Sequence, residues 1–298
     1  MLGIAFTLIS SFWFGVGTVS LRRGVVGGSA AQGVILTVLG GVPLFLIAAL
    51  ATGQIFNAND LGPSAYLALA GAGAIHFLYG RYCTYRAYAL IGANRSAPVN
   101  QATTLLAVIV AVVFLDERVT LLMGLGIALV VLGPAIAAGG RTGGSANGEA
   151  SVTRSRLLTG YIWAALGTLG FGISPVLIRF ALEDSDLGVF GGFVAYAAAG
   201  LIVLPLLAKP GQLRALGALG SSTRKWFFAG TLTTFLGHMF RFLALTYAPV
   251  SVAIPLLRSQ VVVAILLGYL VNRKYESFDR RVLLGIAIAV AGSLALVI

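Results

Sequence analysis

Residues 126–133, with the sequence GIALVVLG, correspond to GIAIAVAG at residues 285–292, with five of the eight residues identical. The match belongs to a repeat that runs through the whole chain at an offset of 157 residues, widening to 159 near the end of each copy. The matched positions are Gly3 with Gly160, Phe14 with Phe171, Arg22 with Arg179, Gly73 with Gly230, Gly80 with Gly237, Ala87 with Ala244, Pro98 with Pro255 and Glu117 with Glu276. Chance similarity between apolar helices is the alternative, but it does not explain one register held through matching Pro and Arg. We interpret the sequence as two copies of one unit.

Each copy contains five apolar runs of about 20 residues, the length at which a helix crosses the hydrocarbon core of a bilayer. The predicted helices lie at about 3–21, 32–52, 64–91, 96–114, 120–138, 158–180, 187–208, 223–247, 251–271 and 281–298. Consecutive copies with an odd number of spans enter the membrane in opposite orientations, as in many transporters whose substrate site lies between the copies. The predicted fold is an all-α membrane protein, with ten transmembrane helices in two inverted five-helix repeats around a central cavity. The predicted boundaries are 1–138 for the first repeat, 139–157 for a flexible cytoplasmic linker rich in Gly and Ser, and 158–298 for the second repeat.

Composition supports a membrane protein over a soluble one. Of the 298 residues, 58% are hydrophobic and 10% are charged, with a mean hydropathy of +0.97. A soluble domain carries about 25% charged residues, so lipid must be the solvent for most of this chain. The net charge of +11 does not indicate nucleic-acid binding, because the basic residues sit in short gaps between apolar runs. The single cysteine, Cys83, excludes an internal disulfide framework.

The charges of the gaps predict the orientation. Most Lys and Arg residues of the gaps follow odd-numbered helices, whereas the gaps after even-numbered helices hold Arg118 alone and several acids. Because Lys and Arg favour the cytoplasmic side, we expect an inner-membrane, multi-pass protein with both termini in the periplasm. The first apolar run has no basic residue before it and is followed by Arg22 and Arg23, which indicates a retained helix and not a signal peptide.

These sequence features resemble those of a known family. Two five-helix copies, a proline in the fourth helix of each (Pro98 and Pro255), and an acidic residue closing each of those helices (Glu117 and Glu276) resemble the EamA-like branch of the drug/metabolite transporter superfamily. The resemblance covers nearly the whole chain, and within the superfamily it is greatest to bacterial exporters of aromatic and other amino acids. It implies a basket of helices in which the first, third, fourth, sixth, eighth and ninth line a cavity and the fifth and tenth pack outside.

The acidic residues narrow the chemistry. All nine lie in loops or at helix ends, and none falls in the middle of an apolar run. Exporters of cationic drugs usually keep a carboxylate in the membrane, and hard metal ions require oxygen ligands, so both substrate classes are disfavoured. No residues are candidates for paired-carboxylate or metal-assisted catalysis. His76 with Cys83 is the only candidate pair of a base and a nucleophile. We expect no enzymatic activity, no cofactor and no metal site.

Polar residues inside the apolar runs are the candidates for substrate binding. His76, Tyr79, Cys83 and Arg86 share one helical face by their spacing, with Tyr82 beside it, and Thr231, Thr234, His238 and Arg241 repeat this pattern in the eighth helix. Such groups normally face a wet cavity, although bonding between helices is the alternative. The predicted substrate-binding residues are His76, Tyr79, Tyr82, Gln101, Trp163, His238 and Arg258. For Arg258 and Trp163, a position at the membrane interface is the competing interpretation, and for Arg81 and Arg86 it is the favoured one.

The predicted function is export of amino acids, aromatic and other mainly apolar ones, by alternating access. Aromatic walls suit apolar side chains, and an arginine suits a carboxylate. Transport is either facilitative or linked to protons through a histidine, whose charge changes near neutral pH. A carrier for another small metabolite, such as a nucleoside or a sugar, is the alternative, followed by an intramembrane enzyme. The expected partners are a small-molecule substrate and the lipid bilayer, and no nucleic acid is expected. The expected oligomeric state is a monomer, with a homodimer as the alternative.

Overall fold

The computed structural model describes residues 1–139, 154–208, 210–260, 262–263, 266–267 and 280–295. This part of the chain is helical throughout, with short turns and no strand. Its helices are α1 (Leu2–Gly27), α2 (Ala30–Ala51), α3 (Pro63–Gly73), α4 (Arg81–Phe114), α5 (Leu121–Gly139), α6 (Arg154–Leu182), α7 (Gly188–Val203), α8 (Gln212–Gly217), α9 (Ser221–Tyr247), α10 (Val250–Leu257) and α11 (Arg280–Ala295). Two 3₁₀ segments, Gln54–Asp60 and Leu204–Ala208, and a π-helical turn, Ala74–Gly80, complete the described elements.

Three of the described helical stretches are long and apolar enough to cross a membrane: Leu2–Leu21, Ala31–Ala51 and Arg154–Leu182. Shorter apolar helices occur at Ala102–Phe114, Leu121–Gly133 and Gly188–Val203. At a rise of about 1.5 Å per residue, the first of the long stretches spans about 30 Å, the thickness of a hydrocarbon core. The expected all-helical class therefore holds, whereas the count of ten spans stays a prediction.

Several helix boundaries differ from the sequence expectation. The break expected at residues 92–95 is absent, since α4 continues as one helix of 34 residues from Arg81 to Phe114. Gly and Asn cost only about 1 kcal/mol or less in a helix, which packing can outweigh. The helix expected at 187–208 ends at Val203, because Pro205 lacks the N–H that an α-helix would need there. The expected linker, 139–157, and the end of the helix expected at 251–271 lie largely outside the described residues.

Contacts between helices come in reciprocal sets. Helix α1 packs on α9 and α10, while α6 packs on the π turn and on α4. In the same way α2 packs on α9 and α3 packs on α7. Helix α2 also packs on α7, and α5 packs on α11, so these pairs join one half of the sequence to the other directly. Most contacts that define the bundle thus run between the halves and not within them.

One end of the bundle is fastened by side chains that cap helices in the other half. This capped end carries the turns at residues 52–62, 115–120, 183–187 and 248–249. Glu117 accepts the N–H of Val250 (2.7 Å) and of Ser251 (2.8 Å), so one carboxylate caps the start of α10. Gln54 Oε1 accepts two N–H groups at the start of α7, at 2.9 and 3.0 Å. These bonds satisfy amide groups that have no partner within their own helices.

Arg179 also stabilises the capped end, because it links α6 to the C-terminus of α9. Its guanidinium donates to the carbonyls of Leu245 (3.1 Å) and Thr246 (2.6 Å), which are otherwise unsatisfied at the C-terminus of α9. Glu183, one turn further along α6, holds Arg179 at 3.4 Å. A cation at a helix C-terminus also compensates the negative end of the helix dipole. The turn after α6 and the turn after α9 are therefore tied together.

Glycine allows the closest approach between α3 and α7. A Cβ added to Gly73 would collide with the backbone carbonyl of Ala195, so the two helices touch through main-chain atoms. Only two residues earlier, Gly71 has room, because its added Cβ would meet nothing nearer than a Leu177 methyl group at 3.9 Å. Small residues at such contacts drive packing in membranes, where lipid removes the hydrophobic driving force between helices.

We expect Gly73→Ala to destabilise the protein by about 1–3 kcal/mol, because the added methyl group must displace the backbone of α7. The measurement is the thermal unfolding midpoint of purified protein in detergent. Gly71→Ala is the matched control, since it makes the same chemical change in the same helix where space exists. Equal midpoints for the two variants would contradict the close contact between α3 and α7.

Candidate functional site

A cavity of about 480 Å³ lies between the helices. Its lining comes from α1, α2, the π turn, α4, α6, α9 and α10, so both halves of the sequence contribute. This volume falls within the range of about 300–1,000 Å³ that is usual for small-molecule sites. The polar and aromatic side chains of the lining are Phe14, Thr18, Thr37, His76, Arg81, Thr84, Thr103, Phe171, Thr234, His238, Arg241, Arg258 and Gln260.

Many lining positions correspond at the offset of 157 residues. The corresponding pairs are Phe14 with Phe171, Thr18 with Pro175, Arg81 with His238, Thr84 with Arg241 and Thr103 with Gln260. The two halves therefore present the same positions of their helices to the cavity. The side chains differ, however, so the cavity is chemically asymmetric.

Arg241 stands at the centre of the polar lining. It is 4% exposed, and its NH1 group lies 3.3 Å from His76 Nε2 while its NH2 group donates to Ser174 Oγ at 3.3 Å. His76 Nδ1 lies 2.8 Å from the same Ser174 Oγ. Because a guanidinium can only donate, a ring nitrogen of His76 accepts from Arg241, and Nε2 is nearer than Nδ1, which lies 3.5 Å from NH1. Arg241 Nε is buried and has no hydrogen-bond partner among the described residues.

His238 forms the second polar centre. Its Nδ1 lies 2.9 Å from the Thr234 carbonyl and 3.0 Å from the Tyr196 hydroxyl, and both groups are buried. The carbonyl can only accept, so Nδ1 carries the proton and Nε2 keeps an acceptor lone pair. The ring of Phe77 packs between the two centres, 4.9 Å from His76 and 5.0 Å from His238 between ring centroids. Aromatic packing thus fixes both imidazoles on the cavity wall.

Two further arginines line the cavity. Arg258 Nε donates to Thr104 Oγ1 at 2.7 Å, and its terminal nitrogens have no hydrogen-bond partner among the described residues. Arg81 donates to Thr37 Oγ1 at 3.2 Å, and its guanidinium carbon lies 5.2 Å from the centre of the Phe77 ring. A cation at this distance from an aromatic face is attracted by the ring. Neither arginine has a carboxylate partner in the described part of the chain.

Among the described residues, the lining contains three arginines and no acidic residue. Within the ranges that the structure describes, no group of three or more His, Cys, Asp or Glu side chains could hold a metal ion. Buried cations in a membrane protein are costly and normally pair with an anion. The arrangement can therefore accept an anionic group, with hydroxyl groups and aromatic rings around it.

The structure brings three of the predicted site residues together: His76, His238 and Arg258 all line the cavity. Tyr79 and Tyr82 do not line it and are 42% and 57% exposed. The side chain of Gln101 lies outside the described residues.

Trp163 belongs to a separate group outside the cavity. It packs edge-on against Tyr82, with 5.7 Å between ring centroids, and Arg86 lies 5.7 Å from its ring. An aromatic pair with an arginine at the outer surface of a helix bundle is the arrangement expected at a membrane interface. The structure therefore separates this aromatic group from the histidine and arginine lining.

The π turn explains the separation. In a regular helix the spacing of His76, Tyr79 and Cys83 puts them on one face, but the extra residue of a π turn shifts the face that follows. The cavity side of this segment is formed by His76, Arg81 and Thr84, a spacing of five and then three residues. Tyr79 turns outward, and Cys83 is fully buried in packing.

Sequence reasoning missed Ser174 and Tyr196 and placed Arg81 at the membrane interface. Ser174 corresponds to Gly17 at the repeat offset and precedes Pro175 inside α6, which was the available signal. Tyr196 interrupts a run of small residues in α7, and an added Cβ at Gly41 would collide with its ring. The phenol therefore occupies space that a glycine of α2 leaves open.

The sequence matches a known protein family over nearly its whole length. The family model described as the EamA-like transporter family matches residues 1–138 and 158–298. No curated protein sequence matches significantly. Among solved structures, a crystal structure that carries no functional description superposes with a TM-score of 0.71 and 17% identity, covering 99% of this chain and 95% of that one. At this identity the likeness shows the fold alone.

Proposed function

The chain belongs to the EamA-like transporter family of the drug/metabolite transporter superfamily, and from this premise we propose that it is a carrier for small carboxylate-bearing metabolites that works by alternating access. The first candidate substrates are amino acids with aromatic or other mainly apolar side chains, and the proposed direction is export. Membership establishes a membrane transporter, and the cavity supplies the argument for the substrate.

The observation that carries this proposal is the group of arginines, one buried and two half-buried, in a cavity whose described lining has no acid. Arg241 and Arg258 both offer N–H groups that lack a carboxylate partner in the described part of the chain. A substrate carboxylate would pair with them through charge-assisted bonds, which are about twice as strong as neutral ones. Phe14 and Phe171 stand on the same lining and suit an apolar or aromatic side chain.

Reciprocal packing between the halves supports the inverted repeat and the alternating mechanism. Each half contributes corresponding positions to the cavity, as two related units related by a two-fold axis in the membrane plane would do. The domains of this proposal are the two matched stretches, 1–138 and 158–298, joined by the linker at 139–157. Access from the capped end requires the bonds of Glu117, Gln54 and Arg179 to open, so these bonds form the gate of that side.

Another small metabolite is the second candidate substrate. Arginines also bind phosphate groups in a bidentate manner, and the cavity volume does not exclude a phosphorylated compound or a nucleoside. This reading is favoured only by the number of cations in the lining, since Arg81, Arg241 and Arg258 together exceed what one carboxylate requires. Transport measurements separate the two classes directly.

The proposed location is the inner membrane, with both termini in the periplasm. The capped end also holds the N-terminus, because an added Cβ at Gly3 would collide with Ala248. Arg23 lies over Trp226 at the opposite end, with 4.6 Å between the guanidinium carbon and the ring centre. The excess of basic residues at that opposite end supports its assignment to the cytoplasm.

Purified protein in liposomes should exchange labelled phenylalanine or tryptophan for the unlabelled amino acid in a counterflow assay. Threonine and uridine are measured in parallel, each with and without a pH gradient. If exchange responds to the pH gradient, transport is linked to protons. If exchange is the same with and without the gradient, transport is facilitative. Uridine exchange without amino acid exchange would contradict the amino acid assignment.

His76→Ala should lower the counterflow rate at least tenfold while the yield of folded protein stays the same, because it removes the acceptor that orients Arg241. Tyr82→Ala is the comparison variant, since this ring lies on the same segment but outside the cavity. Folded yield is measured by size-exclusion chromatography. Equal losses of transport in both variants would mean that the aromatic group at Trp163 belongs to the binding site.

Cysteine labelling should reveal the orientation. In a Cys83→Ala background, which lacks cysteine, Ser145→Cys in the linker should react with an impermeant maleimide only after the cells are broken open. Asp184→Cys, in an exposed turn of the capped end, should react in intact cells with a permeabilised outer membrane. The reverse pattern would invert the proposed topology.

A further inference from the structure

We infer that the cavity recognises its substrate through the carboxylate, and that an ammonium group is stabilised there less than a carboxylate is. Deaminated organic acids with apolar or aromatic bodies should then bind at least as well as the corresponding amino acids. The inference rests on the carrier function proposed above and extends its substrate class from amino acids to organic acids that lack an amino group.

Charge is the first argument. Arg81, Arg241 and Arg258 line one cavity of about 480 Å³, and no acidic side chain lines it. Six of the nine acids lie in the described part of the chain, and all six are in turns or at the end of a 3₁₀ segment, so no described helix offers a carboxylate from its middle. Inside a protein the interaction of two charges is several times stronger than in water. An ammonium group that enters this cavity is repelled by the arginines, whereas a carboxylate is attracted.

Unsatisfied donors are the second argument. Arg241 Nε is buried and has no hydrogen-bond partner among the described residues. Because the residue is only 4% exposed, bulk water does not replace that partner. A buried charged donor that lacks an acceptor is costly, and the cost disappears when an acceptor enters. Arg258 faces the same cavity, and among the described residues only its Nε is hydrogen-bonded. A carboxylate has the acceptor oxygens that both guanidinium groups need.

Occupied acceptors are the third argument. An ammonium group needs lone pairs or an aromatic face, and the acceptors nearest the arginines each already receive an arginine N–H. His76 Nε2 accepts from Arg241, Thr104 Oγ1 accepts from Arg258, and Thr37 Oγ1 accepts from Arg81. Arg81 also covers the Phe77 ring at 5.2 Å, the position that a substrate cation would take over that ring.

Three ligands that share one aromatic body test the inference: phenylalanine, 3-phenylpropanoate, which lacks the amino group, and phenethylamine, which lacks the carboxylate. Each is titrated against purified protein in detergent while the thermal unfolding midpoint is followed, because a ligand that binds the native state raises it. We expect 3-phenylpropanoate to raise the midpoint at least as much as phenylalanine and phenethylamine to leave it unchanged. A shift with phenethylamine equal to that with the acid would overturn the inference, and so would no shift with any of the three.

Arg241→Gln assigns the effect to the cavity. It should weaken 3-phenylpropanoate binding about tenfold or more, because one charge-assisted contact is lost, and Arg241→Lys should lose less because the charge stays while the planar fork goes. Arg224→Gln is the matched control, since this residue lies on the same helix and is exposed at its start. If Arg241→Gln does not fold, Arg258→Gln is measured in its place. Unchanged acid binding in a folded variant would place the anion site elsewhere and overturn the inference.

Failure of the carrier proposal gives a different result. Midpoint shifts from the acid without counterflow of any solute would leave the anion site standing and remove transport of these compounds. Counterflow of phenylalanine that phenethylamine inhibits as strongly as 3-phenylpropanoate would leave the carrier standing and remove the anion preference.

Discussion

Positive charge that is buried without a countercharge is the constraint on which this structure depends. A guanidinium inside a membrane protein must be hydrated, paired or surrounded by dipoles. Here Arg241 obtains partial compensation from Ser174 and His76, and Arg258 from Thr104. All these partners are neutral, so the compensation is incomplete. The selectivity that we propose for anionic groups follows from this remaining need for negative charge, and hydroxyl groups and imidazoles surround the arginines as compensating dipoles.

Such a site requires a scaffold that keeps its shape without a hydrophobic driving force between helices. The protein achieves this in two ways, both independent of the cavity. Glycines such as Gly73 let helices touch through their backbones, so dispersion contacts are dense. At the capped end, Glu117 and Arg179 satisfy helix termini of the other half of the sequence. Because most such contacts join the two halves, the wall of the cavity is made by their association.

Sequence reasoning went furthest where lipid imposes a strict rule. Apolar runs predicted helices, and polar residues inside those runs, such as His76, His238 and Arg258, predicted the cavity lining because such groups avoid lipid. The π turn could not be predicted, since nothing in residues 74–80 marks it and the packing around Gly73 and Phe171 decides it. Its extra residue placed Arg81 in the cavity and Tyr79 outside. Trp163 shows a second limit, because aromatic residues line cavities and membrane interfaces alike.

Helix α10 is only eight residues long, so about 12 Å of rigid rod joins the Glu117 cap at its start to Arg258 at its end. A rod this short transmits a displacement of one end almost undiminished to the other. We therefore expect a ligand that neutralises Arg258 to change the strength of the Glu117 cap. Because linkage is reciprocal, a change in the cap should alter the affinity at Arg258 by the same free energy. Binding of a ligand in the cavity and closure of the capped end are then coupled through helix α10.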